Sequence, residues 1–205
     1  KMIFNRLTAN SGKGIYQIDQ ELQFQLDKES LTLKERWWID GGDNLRVSMS
    51  SAKGGSDGFH FDALYRGQKK IFLESPGQVK TAALPSDFTE QIGFIRSPQN
   101  LVDFLILNKI LPANLEKDRK SVTPNKRQSE NFVRLARTGG VVTWAFGEPS
   151  PPTSDKNLPA FFVEQDSFLW RRIRLMSQAE VSVDQYMSGP LGLRIPKEKT
   201  ISWDN

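Results

Sequence analysis

A chain of 205 residues with 38% hydrophobic content, 13 Phe and 5 Trp carries enough large apolar side chains for a single core, which excludes disorder throughout and predicts one domain over residues 1–205. The absence of cysteine excludes a disulfide framework, a thiolate metal site and a thiol nucleophile, and no apolar run reaches the roughly 20 residues that a membrane-spanning helix needs. The formal charge of +4 is uneven: between Lys109 and Arg137 eight basic residues stand against three acidic ones. No nucleic-acid motif accompanies the basic loop within it, Asp118 to Arg127, so that loop reads as a solvated connection or as a contact for lipid headgroups or an acidic protein, and nucleic acid is not an expected partner.

The chain opens Lys1-Met2-Ile3, an unnatural start that predicts a trimmed leader or lipoprotein signal upstream. From Tyr16 to Leu26 the residues Tyr16, Ile18, Leu22, Phe24 and Leu26 share one parity while Gln17, Asp19, Glu21, Gln23 and Gln25 share the other, the period of a half-buried strand. Asp27 to Ser30 reads as a turn. Leu31, Leu33 and Trp37 then alternate, Gly41 to Asn44 reads as the next turn, and Leu45, Val47 and Met49 continue the pattern. A glycine-rich loop, Gly54 to Gly58, precedes Phe59–Tyr65, a turn at Arg66 to Gln68, and Lys70–Leu73.

The pattern breaks at Ser97-Pro98, a good N-cap followed by the residue favoured at the first helical position, so a helix is predicted over 98–111. Its apolar residues surround most of the cylinder and leave a narrow stripe at Asp103, Asn108 and Lys109; such a helix has to be covered on nearly every side. Strands return at Phe132–Ala136, then a Gly139-Gly140 turn, Val141–Phe146, a proline-rich loop from Glu148 to Asp155, and further strands at 161–164, 168–176, 181–187 and 201–203. The fold class expected from this order is mostly β (α+β), about eleven strands in a curved antiparallel sheet. Curling covers the apolar face of such a meander, and the apolar helix plugs or covers the opening of an unclosed barrel.

Four segments taken in order carry a family likeness: Arg36 to Ser48 (RWWIDGGDNLRVS), Gly140 to Phe146 (GVVTWAF), Phe162 to Leu175 (FVEQDSFLWRRIRL) and Leu193 to Ser202 (LRIPKEKTIS). They resemble, respectively, the Trp strand with its following "LR" strand, a mid-barrel strand, the acidic hairpin and the "PK" ending of the LolA/LolB/RseB-like superfamily of lipoprotein carriers and envelope sensors. That resemblance implies an unclosed barrel with an apolar cavity for acyl chains, a periplasmic or outer-membrane-anchored location, lipid or lipoprotein as partner, and no cofactor. It leaves open whether the scaffold carries lipid or serves as a sensor that binds an envelope protein. A monomer with peripheral or no membrane contact is expected.

The aromatic residues are the informative class, because large flat side chains around a concave sheet leave gaps that flexible chains fill. The predicted cavity lining is Trp37, Trp38, Phe59, Phe61, Phe72, Phe104, Leu105, Trp144, Phe146 and Trp170, with the Arg46 guanidinium as a polar anchor able to hold a carbonyl or phosphate oxygen. The competing chemical reading rests on His60, the only histidine, which shares a strand face with Asp62, and on the carboxylates Asp40, Asp43, Glu164 and Asp166. No nucleophile or metal-ligand spacing accompanies them, and Gly41-Gly42 and Gly54-Gly55 lack the helix and Lys-Ser/Thr of a phosphate loop.

Overall fold

The computed structural model describes residues 2–26, 29–41, 44–51, 59–66, 69–75, 77–83, 92–113, 132–150 and 157–203. The Gly54 to Gly58 loop and the basic loop from Asp118 to Arg127 lie outside these. The chain divides into two compact units, Gly14–Pro85 and a second made of Lys1–Lys13 with Ser86–Asn205.

The first unit is a six-stranded antiparallel meander: β1 (Tyr16–Leu26), β2 (Glu29–Ile39), β3 (Leu45–Ser51), β4 (His60–Arg66), β5 (Lys69–Ser75) and β6 (Gln78–Ala83), each hydrogen-bonded to the next in sequence. Its register aligns the apolar parity of every strand. Tyr16 lies opposite Ile39, Ile39 opposite Leu45 and Leu45 opposite Tyr65; one row further on, Ile18, Trp37, Val47, Ala63 and Phe72 are paired in the same way. A slip of one residue would turn all of these to the other face, so the hydrophobic pattern fixes the register.

The second unit contains α1 (Met2–Ala9), α2 (Pro98–Leu107) and a six-stranded antiparallel sheet in the order β14-β11-β10-β9-β8-β7, built from β7 (Val133–Thr138), β8 (Val141–Phe146), β9 (Ala160–Glu164), β10 (Trp170–Arg174), β11 (Glu180–Val183) and β14 (Lys199–Ser202). A separate hairpin pairs β12 (Tyr186–Ser188) with β13 (Arg194–Pro196). Gly139 and Gly140 both take positive φ (56° and 81°) in the β7–β8 turn, as a primed two-residue hairpin turn demands. Leu101, Phe104 and Leu105 of α2 share one core with Leu7 of α1 and with Phe146, Phe161, Val163, Trp170, Ile173, Leu175, Val181 and Val183 of the sheet region. Removing each such side chain from water contributes about 1.5–3 kcal/mol.

Neither sheet closes into a barrel, in agreement with the expected fold class, but the strand count is higher than the pattern suggests. β6 is exposed along its whole length and so shows no alternation, and the stretch 181–187 is split into β11 and β12. The helix begins where expected, with the Ser97 side chain accepting from the Asn100 N–H at 3.3 Å, but it ends at Leu107 rather than at Leu111. Lys109 takes a left-handed φ of 55°, and the Ile110 N–H reaches back to the Leu105 carbonyl at 2.9 Å, a Schellman-type stop with Pro112 just beyond. Helix α1, which no sequence signal announces, is held by its packing: the Phe4 and Phe146 rings lie 5.1 Å apart and the buried Ser11 hydroxyl donates to the Ile95 carbonyl at 2.8 Å. Neither described helix is long and apolar enough to cross a membrane.

Candidate functional site

The apolar face of the first sheet combines burial at one end with openness at the other. Leu45, Ile39, Val47, Trp37 and Ala63 are buried, whereas Leu22, Phe24, Met49, Phe61 and Phe72 are half-buried, and Leu31 and Phe59 are 49% and 52% exposed. Two polar features interrupt the face. Gln20 and Glu35 lie opposite each other across β1 and β2, the Gln20 amide donating to the buried Glu35 carboxylate. Lys70 lies beside Tyr65, its ammonium 4.7 Å from the Phe61 ring centroid, 5.4 Å from Phe72 and 5.7 Å from Tyr65.

The other face of the same sheet is polar. The Arg36 guanidinium donates to Asp19 and holds its carboxyl below the usual range. Arg36 and Arg46 stand over the Trp38 ring at 5.8 and 4.8 Å, and Arg46 lies 3.6 Å from Asp62, which accepts from His60 at 2.7 Å. Burial pulls the Asp62 carboxyl up, but the hydrogen bonds and charges of His60, Ser48 and Arg46 outweigh it and leave the group lowered. A groove of about 620 Å³ opens here over β1–β3, lined by residues that include Asp19, Lys34, Arg36, Trp38 and Ser48. Its mixed charges suit hydrophilic groups rather than an acyl chain.

The predicted lining residues therefore fall into three groups. Trp37, Phe61 and Phe72 share the apolar face of the first sheet, and Phe59 continues its parity at the mouth of β4. Trp38 and Arg46 lie on the polar face, because neighbouring residues on a strand point to opposite sides. Phe104, Leu105, Phe146 and Trp170 are buried in the core of the second unit, with Trp144 half-buried against it. Of the chemical candidates, His60 and Ser48 both bond Asp62, so the carboxylate sits between histidine and hydroxyl. Activating a serine needs histidine in the middle. Glu164 accepts from Arg171 at 2.6 Å and from Ser167 at 2.8 Å, whereas Asp166 is exposed in the adjoining turn.

Sequence reasoning missed Gln20, Glu35 and Lys70. The signal for the first two was available: polar residues at apolar-parity positions of two strands joined by one turn. For Lys70 it was not, because Lys69 and Lys70 occupy both parities and neither announces its face.

No family model matches the sequence, and no curated protein does. Among solved structures the chain is similar to a LolA superfamily protein from Nitrosomonas europaea, with TM-score 0.55 and 10% identity over 98% of this chain and 84% of that one. A DUF1329 family protein from Desulfovibrio piger follows, with TM-score 0.52 and 11% identity over 98% and 84%. A protein domain named for outer membrane lipoprotein sorting, from Vibrio parahaemolyticus, matches with TM-score 0.52 and 11% identity over 97% and 82%. At such identities the likeness concerns the backbone, and on that ground the chain has the fold of LolA-type proteins.

Proposed function

We propose that the chain is a non-catalytic binder of acyl chains, receiving a lipid or the lipid part of a lipoprotein on the apolar face of its first sheet for transport or sorting in the bacterial envelope, in the periplasm or anchored to the outer membrane. The observation that supports it is the graded exposure of that face. Leu22, Phe24, Leu31, Met49, Phe59 and Phe61 leave large apolar side chains open to solvent at one end, and a contiguous patch of this kind marks an interaction surface. Trp37, Phe61 and Phe72 are the aromatic residues proposed to line the chain's path. A shared fold alone does not carry function, but one neighbour's link to lipoprotein sorting agrees with the chemistry of the face.

Titration with a fluorescent acyl probe tests the proposal: a saturable signal displaced by excess unlabelled fatty acid is expected, and its absence overturns it. The polar groove around Trp38, Arg36 and Asp19 favours a second reading, a sensor that binds an envelope protein on the same scaffold. Native mass spectrometry of protein purified from membrane-containing cells separates the two, since co-purified lipid belongs to the first.

A further inference from the structure

The apolar face of the first sheet holds a cation that pairs with no counter-charge among the described residues. Lys70 pairs with Tyr65 across β4 and β5. Ala63 stands between Phe61 and Tyr65 on the same face of β4 and is 3% exposed. The ammonium lies 4.7 Å from the Phe61 ring centroid, 5.7 Å from that of Tyr65 and 5.4 Å from that of Phe72 on its own strand. Ring faces attract a cation without using its hydrogen-bond donors, and Lys70 has three donors and no acceptor of its own. Among the described residues it makes no ion pair and no hydrogen bond. The rings thus fix the position of a charge whose N–H groups stay available.

We propose that Lys70 is the headgroup anchor of this face, so that the ligand is an anionic amphiphile: a single carboxylate or phosphate on the Lys70 ammonium, and an acyl chain running from Phe61 to Met49, which pairs with it across β3 and β4, and on toward Leu33 and Leu31. This deepens the acyl-binding reading and rests on it. A charged donor in a half-buried setting bonds an anionic oxygen more strongly than a neutral one, so the site discriminates between chains of equal length by their headgroup. Apolar burial cannot do so, because it depends on area alone.

The experiment is competition for a bound dansyl-labelled fatty acid by oleate, oleoyl lysophosphatidate and oleyl alcohol, on the wild type, Lys70→Met and Lys70→Arg, with melting temperature recorded for each. The wild type is expected to bind the anionic competitors about tenfold or more tighter than the alcohol, the scale of one charge-assisted hydrogen bond. Lys70→Met should remove that preference while leaving the alcohol's affinity unchanged, and Lys70→Arg should restore it. Whichever of oleate and lysophosphatidate loses more in Lys70→Met identifies the anion. Equal affinity of wild type and Lys70→Met for the anions, with acyl binding intact, overturns the anchor alone; failure of all three competitors to bind the wild type overturns the acyl-binding reading with it. Should Lys70→Met not fold, Lys70→Gln takes its place, and the preference of the wild type for anion over alcohol stands as its own test.

Discussion

The two six-stranded sheets solve the same problem in different ways. Each buries an apolar face, but the second shares its core with two helices, its Phe161, Val163 and Ile173 are wholly buried, and it buries Ala145, Ala160 and Phe162 on its other side as well. The first carries the Gln20–Glu35 pair and the Lys70 ammonium on its apolar face and leaves one end of that face half-open. A face built only for stability would gain from replacing those polar groups by hydrophobic ones, since a buried polar group returns little net stability even when it is bonded. The contrast is between a face closed over a continuous core and a face left partly open at one end.

Substitutions can break this contrast. Phe161→Ala, in the closed core, is expected to cost about 3–5 kcal/mol through lost burial and an unfilled cavity, read as a shift in the chemical denaturation midpoint. Gly147→Ala should cost about 2–3 kcal/mol, because the glycine has φ +104° and a Cβ there would lie 2.5 Å from the Pro159 carbonyl oxygen; thermal unfolding measures it. Glu164→Gln, which weakens the bond to Arg171, should cost about 2 kcal/mol at neutral pH. Burial alone would raise the Glu164 carboxyl, but Ser167 and Arg171 more than offset this and hold it below its ordinary 4.5. Its contribution is therefore complete above that pH and is lost as the pH falls through the lower folded-state value, so a pH series of unfolding curves should show the wild type and Glu164→Gln converging on the acid side.

Phe61→Ala on the half-open face should cost only about 1 kcal/mol of stability while weakening acyl-probe binding about tenfold. A large stability loss with unchanged binding would erase the contrast between the faces. Smallest of all, Asp19→Asn should leave the melting temperature unresolved from wild type, because its pair with Arg36 is exposed on both sides.

Much of the fold could be read from alternation. β1 to β3 carry it clearly, and Ser97-Pro98 marks the start of α2. What escaped has physical causes. In β6, Gln78 to Ala83 is exposed on both faces, and its backbone pairing with β5 leaves no trace in the order of side chains. Helix α1 is stabilised by Phe4 and Leu7 packing on residues far along the chain. At the candidate site, Trp37 and Trp38 differ in face by the same alternation that identifies β2, so the separation was available in the sequence. The ring cluster around the Lys70 ammonium was not, because it depends on β5 aligning Lys70 with Tyr65.

The order of the chain has a consequence for assembly. The first sheet is inserted within the second unit: α1 belongs to the second core, yet roughly 70 residues of the other unit separate it from the rest of that core. Docking α1 through a fully flexible insertion of this length would cost about 4 kcal/mol in closure entropy. Every pairing in the inserted sheet is between sequence neighbours, so it can form hairpin by hairpin from local contacts. Once formed, it replaces the flexible loop with a structured one, so the second core closes across a folded insertion rather than a free chain.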